Sequence, residues 1–289
     1  MKYKALKEKF NTSLYPFYDE QESSGMFFIV IQQVAGLSRM QFLEEKESEA
    51  EPQVLAACLS ILDELCTGKP IQYILKEAWF YRLPFVVGPD VLIPRDETEE
   101  LVDMIIKTEQ STAGKGKQLL DIGTGSGCIA IALKKNLPNF EVFALDVSPG
   151  ALSIAQENAK RNAVEVTFIE ADILKYEPTG KYDIIVSNPP YVKNDERQAM
   201  HQNVLKFEPH TALFVPDQDP LIFYRAIAFF ASATLVEGGS LYFEINEYLG
   251  AEMVSLMKEK GFQDVRLIQD MQGKDRMLSC RSNSAGDRT

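Results

Sequence analysis

Residues that hold metals or close covalent loops are scarce. Four cysteines, Cys58, Cys66, Cys128 and Cys280, are scattered through 289 residues, none at C-x-x-C spacing, and only His201 and His210 could join them in a zinc site. No metal site is expected, and reduced thiols of a cytosolic protein are the simplest account of the cysteines. Long apolar runs are missing as well. Residues 26–31 are too few to span a bilayer, and residues 221–236 are interrupted by Arg225. The first sixteen residues carry Lys2, Lys4, Lys7 and Lys9 and have no apolar core before a small-residue cleavage site, so no signal peptide is expected. Positive charge is in deficit: 30 Lys and Arg face 42 Asp and Glu, a formal net charge of −12. Sequence-blind capture of a phosphate backbone runs on Lys and Arg and is disfavoured, whereas a basic partner or a local basic patch stays open. What the chain does have is ordinary globular usage, 45% hydrophobic and 25% charged residues, at a length that suits one large domain or two modest ones.

Three regions differ in pattern. Residues 1–75 show helical spacing, in Leu6, Phe10 and Leu14, in Phe27, Phe28, Ile31, Val34 and Ala35, and in Val54, Leu55, Cys58, Leu59, Leu62 and Leu65 behind Pro52. A small helical domain with a docking surface is expected there. Residues 76–94 are rich in strand formers, Trp79, Phe80, Tyr81, Leu83, Phe85, Val86 and Val87, and are broken by Pro84 and Gly88-Pro89. A β-hairpin linker is expected, with Trp79 packed at the junction. In residues 95–289, Asp96 and Glu99 have capping-box spacing ahead of an amphipathic helix carrying Leu101, Val102, Ile105 and Ile106. A polar loop over 111–117 follows. Strand and helix then alternate: strands at 118–122, 141–146, 164–170, 182–187 and 240–245, helices at 127–136, 149–162, 221–236 and 248–260. Such alternation predicts an α/β fold with a mostly parallel sheet covered on both faces. The last two strands, 262–268 and 275–280, lack an intervening helix and are expected as an antiparallel hairpin at one edge. The polar tail from 282 is expected to be loose.

The first strand of that series runs into Asp121-Ile122-Gly123-Thr124-Gly125-Ser126-Gly127. Glycines at alternate positions let the chain turn tightly and leave bare main chain for a ligand, and ligands of open α/β sheets bind at such carboxyl ends. The dinucleotide fingerprint is G-x-G-x-x-G, whereas G-x-G-x-G behind an Asp suits a ligand without phosphates, and a cationic one better than an anion. Asp146, at the end of the second strand, can accept both hydroxyls of a ribose. Asp172 follows the third strand and, with Ile173, can frame an adenine. The plain alternative is a tight βα turn with Asp172 as a turn residue. The aspartates at consecutive strand ends weigh against it.

The fourth strand of the series runs into Asn188-Pro189-Pro190-Tyr191. Two prolines remove two N–H donors and stiffen the chain, which leaves the Asn188 side-chain oxygen and the Pro189 carbonyl as acceptors. Two acceptors pin the hydrogens of an amino group and aim its nitrogen, and Tyr191 offers a flat surface for a planar amide or base. An amide nitrogen is a poor nucleophile because its lone pair is delocalised. Accepted hydrogen bonds return density to it, so positioning matters more than a strong base. A structural Asn-Pro-Pro turn is the bland alternative.

With both motifs placed, nearly the whole chain resembles the class I S-adenosylmethionine-dependent methyltransferases, and more closely the release-factor glutamine methyltransferases (PrmC/HemK). Besides Asp121–Gly127, Asp146 and Asn188–Tyr191, the resemblance includes the helical front, Gly68-Lys69-Pro70-Ile71-Gln72-Tyr73-Ile74, Val91-Leu92-Ile93-Pro94-Arg95 leading into Thr98-Glu99, Phe207-Glu208-Pro209 with Thr211-Ala212-Leu213, and residues 273–276. It implies a seven-stranded Rossmann-like sheet with a small helical domain joined by the hairpin. It also implies that Asp121 and the loop Gly123, Thr124, Gly125, Ser126 and Gly127 hold the methionine part of the cofactor. Asp146 would hold its ribose, Asp172 and Ile173 would border its adenine, and Asn188 would reach the cofactor as well. Asn188 and Pro189, with Pro190 and Tyr191, would hold the substrate. The implied reaction is methylation of the amide nitrogen of the glutamine in the Gly-Gly-Gln motif of class 1 peptide chain release factors. Asp96 stands where many relatives have a second proline after Arg, and Ile173 where some have an aromatic, which removes stacking at that place.

Other residues carry less. His201 and His210 suit a loop better than a base role. Glu244 and Glu247 flank a strand end and could tune the site, but are read first as solvated or hydrogen-bonded carboxylates, and Phe223, Tyr224, Phe229 and Phe230 are read as core. The expectation is a cytoplasmic, monomeric enzyme that acts on release factors, not directly on nucleic acid and not at a membrane. The rivals are an adenine or cytosine amino-methyltransferase of nucleic acid, which needs a basic groove and a flipped base, a dinucleotide dehydrogenase, and a non-catalytic binding module.

Overall fold

The computed structural model describes residues 1–110 and 116–283. Most of the expected loop 111–117, and the tail from 284, lie outside the described residues.

The chain divides into two compact units: residues 1–76 with 202–207, and residues 77–201 with 208–289. The first unit contains α1 (Tyr3–Leu14), α2 (Glu20–Ala35), α3 (Arg39–Glu45), α4 (Pro52–Leu65) and α5 (Ile71–Leu75). Capping boxes start α2, through Asp19 and Glu22, and α3, through Ser38 and Gln41. Pro52 opens α4 at its first turn. Leu6, Phe10 and Leu14 meet Phe27, Ile31, Phe42 and Leu62 in one apolar cluster.

The second unit opens with the hairpin β1 (Glu77–Phe80) and β2 (Leu83–Val86), turned through Tyr81 and Arg82, both with positive φ. Then come α6 (Asp96–Glu109), β3 (Gln118–Ile122), α7 (Cys128–Asn136), β4 (Glu141–Asp146), α8 (Pro149–Arg161), β5 (Thr167–Glu170), β6 (Tyr182–Ser187) and the two-residue strand β7 (Val192–Lys193). After α9 (Gln202–Phe207), which groups with the first unit, follow β8 (Phe214–Val215), α10 (Ile222–Thr234), β9 (Leu235–Glu244), α11 (Gly250–Glu259), β10 (Gln263–Gln269) and β11 (Asp275–Arg281).

Seven strands form one sheet in the order β10-β11-β9-β6-β3-β4-β5. β3, β4, β5, β6 and β9 are parallel, and β11 runs antiparallel to both of its neighbours, so the expected edge hairpin is present. Alternate residues of each strand feed two cores. Leu119, Val142, Ile184 and Val186 pack with α6 and α7, whereas Leu120, Leu145, Ile185 and Phe243 pack with α10 and α11. This is the seven-stranded class I methyltransferase architecture that the resemblance implies. No single helix among the described residues is long and apolar enough to cross a membrane.

Three local expectations are corrected. The N-cap of α6 is Arg95, extended and without a side-chain cap bond, and Asp96 is the first helical residue. Glu99 is drawn away from the cap because its Oε1 accepts the N–H of Tyr81 at 2.6 Å. The acidic first turn still suits the positive end of the helix dipole. Trp79, expected packed, is 64% exposed. Strand β9 begins five residues before the expected start, at Leu235, and takes up Gly238-Gly239 within a register shift against β6.

Candidate active site

From β3 the chain steps outward to β4 and β5, then returns to place β6 on the other side of β3. The order of the sheet thus reverses between β3 and β6, the place where open α/β sheets open a crevice at their carboxyl ends. Ile122 pairs with Ser187 across that boundary, and Ser187 Oγ donates to the Ile122 carbonyl at 2.6 Å. The glycine loop and Asn188 therefore leave neighbouring strands side by side.

Gly123 and Thr124 both donate their N–H groups to the Leu145 carbonyl, at 2.8 and 3.0 Å, which pins the loop over β4. A Cβ on Gly123 or Gly125 would meet nothing within 4 Å, so bare main chain borders open space there. Gly127 is different. Its φ is +81°, and a Cβ would lie 2.9 Å from Ile131 Cδ1 and 3.1 Å from Ala155 Cβ, so this glycine sets how closely α7 approaches α8. Asn158 of α8 is fully buried. It donates to the Ser126 and Val86 carbonyls and accepts the N–H of Val86, which ties the hairpin to the loop.

Asp121 is buried beneath the loop. Its Oδ2 accepts from Thr124 Oγ1 at 2.6 Å and from the Ala130 N–H at 3.2 Å, while Oδ1 is buried without a hydrogen-bond partner. Burial pushes this carboxyl up to about 7 against the pull of its two donors, and the neighbouring charge of Asp146 adds to the rise. Asp146 ends β4 and accepts from the N–H groups of Gly125, at 2.8 Å, and Ser148, at 2.9 Å, one on each oxygen. Burial raises its pKa too, and each oxygen retains a second lone pair. Asp172, beyond β5, accepts from the Leu174 N–H at 3.0 Å and faces Lys175 at 3.1 Å.

These elements enclose a cleft with about 1070 Å³ of empty space, open mouth included. Gly123, Thr124, Gly125 and Ser126 line it, as do Asp146, Asp172 and Ile173, and then Asn188, Pro189 and Pro190. Three expected site residues, Asp121, Gly127 and Tyr191, are not among its lining. Tyr191 packs against the α10 side of the sheet and donates its hydroxyl to Glu244 Oε1 at 3.3 Å, so the flat surface expected of it is not turned to the cleft. Burial and the Glu244 charge raise its pKa.

Several residues outside the two motifs also shape the site. Asn188 Nδ2 donates to Thr98 Oγ1 at 3.2 Å, and Thr98 Oγ1 donates to buried Glu244 Oε2 at 2.6 Å. Arg95, on the cleft wall, donates to Glu208 Oε1 at 2.6 Å, and the Ile93 N–H donates to Glu208 Oε2, which fixes Glu208 to the Ile93-Pro94-Arg95 segment. Phe223, expected as core, lines the cleft, and Phe229 is 61% exposed, whereas Tyr224 and Phe230 are buried. His201 and His210 do not line it, and His210 sits edge-on to Phe214. The sequence signals for this second set were the short segments carried by the resemblance and the place of Glu244 at a strand end. Nothing in the spacing joins residues 98, 188 and 244.

The geometry fits an S-adenosyl group. A bare glycine loop above an unpaired buried carboxylate oxygen suits a cation, Asp146 has lone pairs for a diol, and Ile173 gives an apolar wall without stacking. Comparisons with known proteins agree. The PrmC N-terminal domain family matches residues 25–75, and the Methyltransferase small domain family matches residues 96–210. A release factor glutamine methyltransferase of Flavobacterium psychrophilum is 47% identical over 277 residues, covering 95% of this chain and 97% of that protein. One from Bacteroides thetaiotaomicron is 43% identical, covering 92% and 95%. A methyltransferase structure from Pyrococcus furiosus superposes with a TM-score of 0.51 at 20% identity, over 71% of this chain and 91% of that one, a likeness of fold. With identity of this level over almost its full length, the chain belongs to the release factor glutamine methyltransferase family.

Proposed function

We propose that the protein transfers the methyl group of S-adenosylmethionine to the side-chain amide nitrogen of a glutamine in peptide chain release factors, the glutamine of the Gly-Gly-Gln motif of class 1 factors. The observation that carries this is the adjacency of Asn188 and the glycine loop across the β3–β6 boundary. Gly123–Ser126 hold the methionine end of the donor, with Asp121 beneath the loop and Gly127 shaping it, Asp146 holds its ribose, and Asp172 with Ile173 its adenine. The donor supplies a methyl group on a positively charged sulfur, so the nitrogen keeps its protons until attack. Asn188 Oδ1 and the Pro189 carbonyl accept the two amide hydrogens, return electron density to the nitrogen and aim it. Pro190 stiffens the pair, and Tyr191 supports it from behind.

The helical unit serves as the docking domain for the release factor, a role that suits its match to the PrmC N-terminal domain family. The protein acts as a monomer in the cytoplasm, in keeping with four free cysteines. The net charge of −12 suits a protein acceptor at least as well as nucleic acid.

Methyl transfer from labelled donor to a class 1 release factor and to duplex DNA tests the assignment. Release factor is expected to accept the label and DNA not. Asn188→Ala is expected to lose transfer by about 10²-fold or more at saturating donor, as misplacement of a reacting group does. Label on DNA but not on release factor overturns the substrate assignment.

A further inference from the structure

A buried carboxylate that never reaches the cleft governs the residue that does. Glu244 ends β9, is buried, and is absent from the cleft lining. It receives the Thr98 hydroxyl at 2.6 Å on Oε2 and the Tyr191 hydroxyl at 3.3 Å on Oε1, while Tyr224 donates to its backbone carbonyl at 3.1 Å. Burial raises its pKa, against the pull of the Thr98 hydroxyl, the Arg276 charge and the Tyr191 hydroxyl, all three of which favour the ionised form. A carboxylate only accepts. The single hydroxyl hydrogen of Thr98 is therefore committed to Glu244, and Thr98 has only lone pairs left for Asn188. An amide that faces a pure acceptor must present its NH2, as Asn188 Nδ2 does at 3.2 Å. Its oxygen is then the atom left for the cleft.

We propose that Glu244 is a positioning residue that acts through Thr98 to fix the flip state of the Asn188 amide, so that Oδ1 and not Nδ2 meets the substrate nitrogen. The consequence for catalysis rests on the acceptor being a carboxamide, as in the proposed function. An Asn188 with its amide reversed offers hydrogens to a group that needs acceptors, which repels the substrate amide and leaves its nitrogen delocalised. Tyr191 then has a place in the motif without touching the cleft: its hydroxyl helps to hold Glu244 in place. Thr98 is the weakest point of the relay, because it alone touches both ends.

The test compares Thr98→Val, Thr98→Ser and Glu244→Gln in the full-length protein. Thr98→Val keeps the shape but removes the hydroxyl, Thr98→Ser keeps the hydroxyl, and Glu244→Gln gives one of its two partners a donor in place of an acceptor. For transfer to release factor, kcat is expected to fall about 10- to 10²-fold in Thr98→Val and Glu244→Gln, as small misplacements of reacting groups do. KM for the donor should stay within a few-fold, and Thr98→Ser should restore most of kcat. Asparagine-selective 15N spectra give a readout that needs no acceptor. The Asn188 side-chain NH2 of the parent should exchange slowly with solvent, and Thr98→Val should lose that protection while the backbone spectrum of the sheet is kept. Full kcat in Thr98→Val, equal losses in Thr98→Val and Thr98→Ser, or unchanged protection of the Asn188 NH2 in Thr98→Val overturns the relay. A parent protein that shows the protected NH2, and loses it in Thr98→Val, yet methylates no release factor keeps the relay and overturns the substrate.

Discussion

Asp121 gives a prediction whose size changes with pH. Its carboxyl is fully buried, and burial pushes it from 3.8 up to about 7. The folded state therefore binds this proton more tightly than the unfolded chain does. The stability it contributes is complete below about pH 4 and is lost as pH rises toward 7. A rise of about 3 units corresponds to at most about 4 kcal/mol across that window, at 1.36 kcal/mol per unit. Asp121→Asn removes the titration. The new amide oxygen can still accept from Thr124 and Ala130, but its NH2 then takes the place of the unpaired Oδ1. A buried donor without a partner costs about 1–3 kcal/mol. The two terms set the outcome. At pH 8 the substitution should stabilise the donor-free protein by about 1–3 kcal/mol, and that gain should shrink to near zero at pH 4–5, where the protonated carboxyl also carries a hydrogen on the unpaired Oδ1. Urea unfolding of both proteins from pH 4.5 to 8.5 measures this, and the difference between the two curves isolates Asp121 because every other titrating group is common to both. Parallel curves would refute the placement of an ionisable, poorly solvated carboxylate beneath the loop.

Other consequences follow from the same geometry. Affinity for S-adenosylmethionine should decline below about pH 7 as Asp121 takes up its proton, by up to about tenfold per pH unit. The decline should be shallower for S-adenosylhomocysteine, which has no positive sulfur; calorimetric titrations at pH 6 and 8 compare them. Gly127→Ala combines a positive φ with a Cβ 2.9 Å from Ile131 and should cost about 2–4 kcal/mol, read as a lower Tm together with weaker donor binding. Asn158→Ala removes three hydrogen bonds to Val86 and Ser126 and should cost about 3 kcal/mol. Amide exchange at Val86 should rise selectively, and uniform exchange across the sheet would contradict a local tie.

Much of the fold was legible because the catalytic unit keeps its apolar residues in unbroken strands. Runs such as Leu119-Leu120 and Ile184-Ile185-Val186 supply both faces at once, as strands buried on two sides must. The helices between them carry clear stripes, and the last two strands declared their antiparallel pairing by having no room for a helix. Short elements were not legible. The two-residue ladder of Val192-Lys193 with Phe214-Val215 and the helices over 39–45 and 71–75 are too brief for a period to show. Gly238-Gly239 falls between the expected helix over 221–236 and the expected strand over 240–245, and the sheet absorbs it as an irregularity in register.

The site divides along the same physical line. Residues that line the cleft sit at strand ends in short motifs, where loop chemistry concentrates, so Gly123–Ser126, Asp146, Asp172 and Asn188–Pro190 could be named from the chain alone. Residues that orient those groups have no reason to be near them in sequence. Thr98 and Glu244 lie 146 positions apart and Thr98 and Asn188 90 apart, and they meet because α6 packs beside β9 while β9 pairs with β6. A threonine in a helix and a glutamate at a strand end carry no distinguishing signal by themselves. Their hydrogen-bond direction becomes determined only when burial removes water as an alternative partner. Tyr191 shows the converse: its place in the motif suggested a surface for the substrate, whereas its hydroxyl had a buried carboxylate to satisfy, and that demand turned the ring away from the cleft.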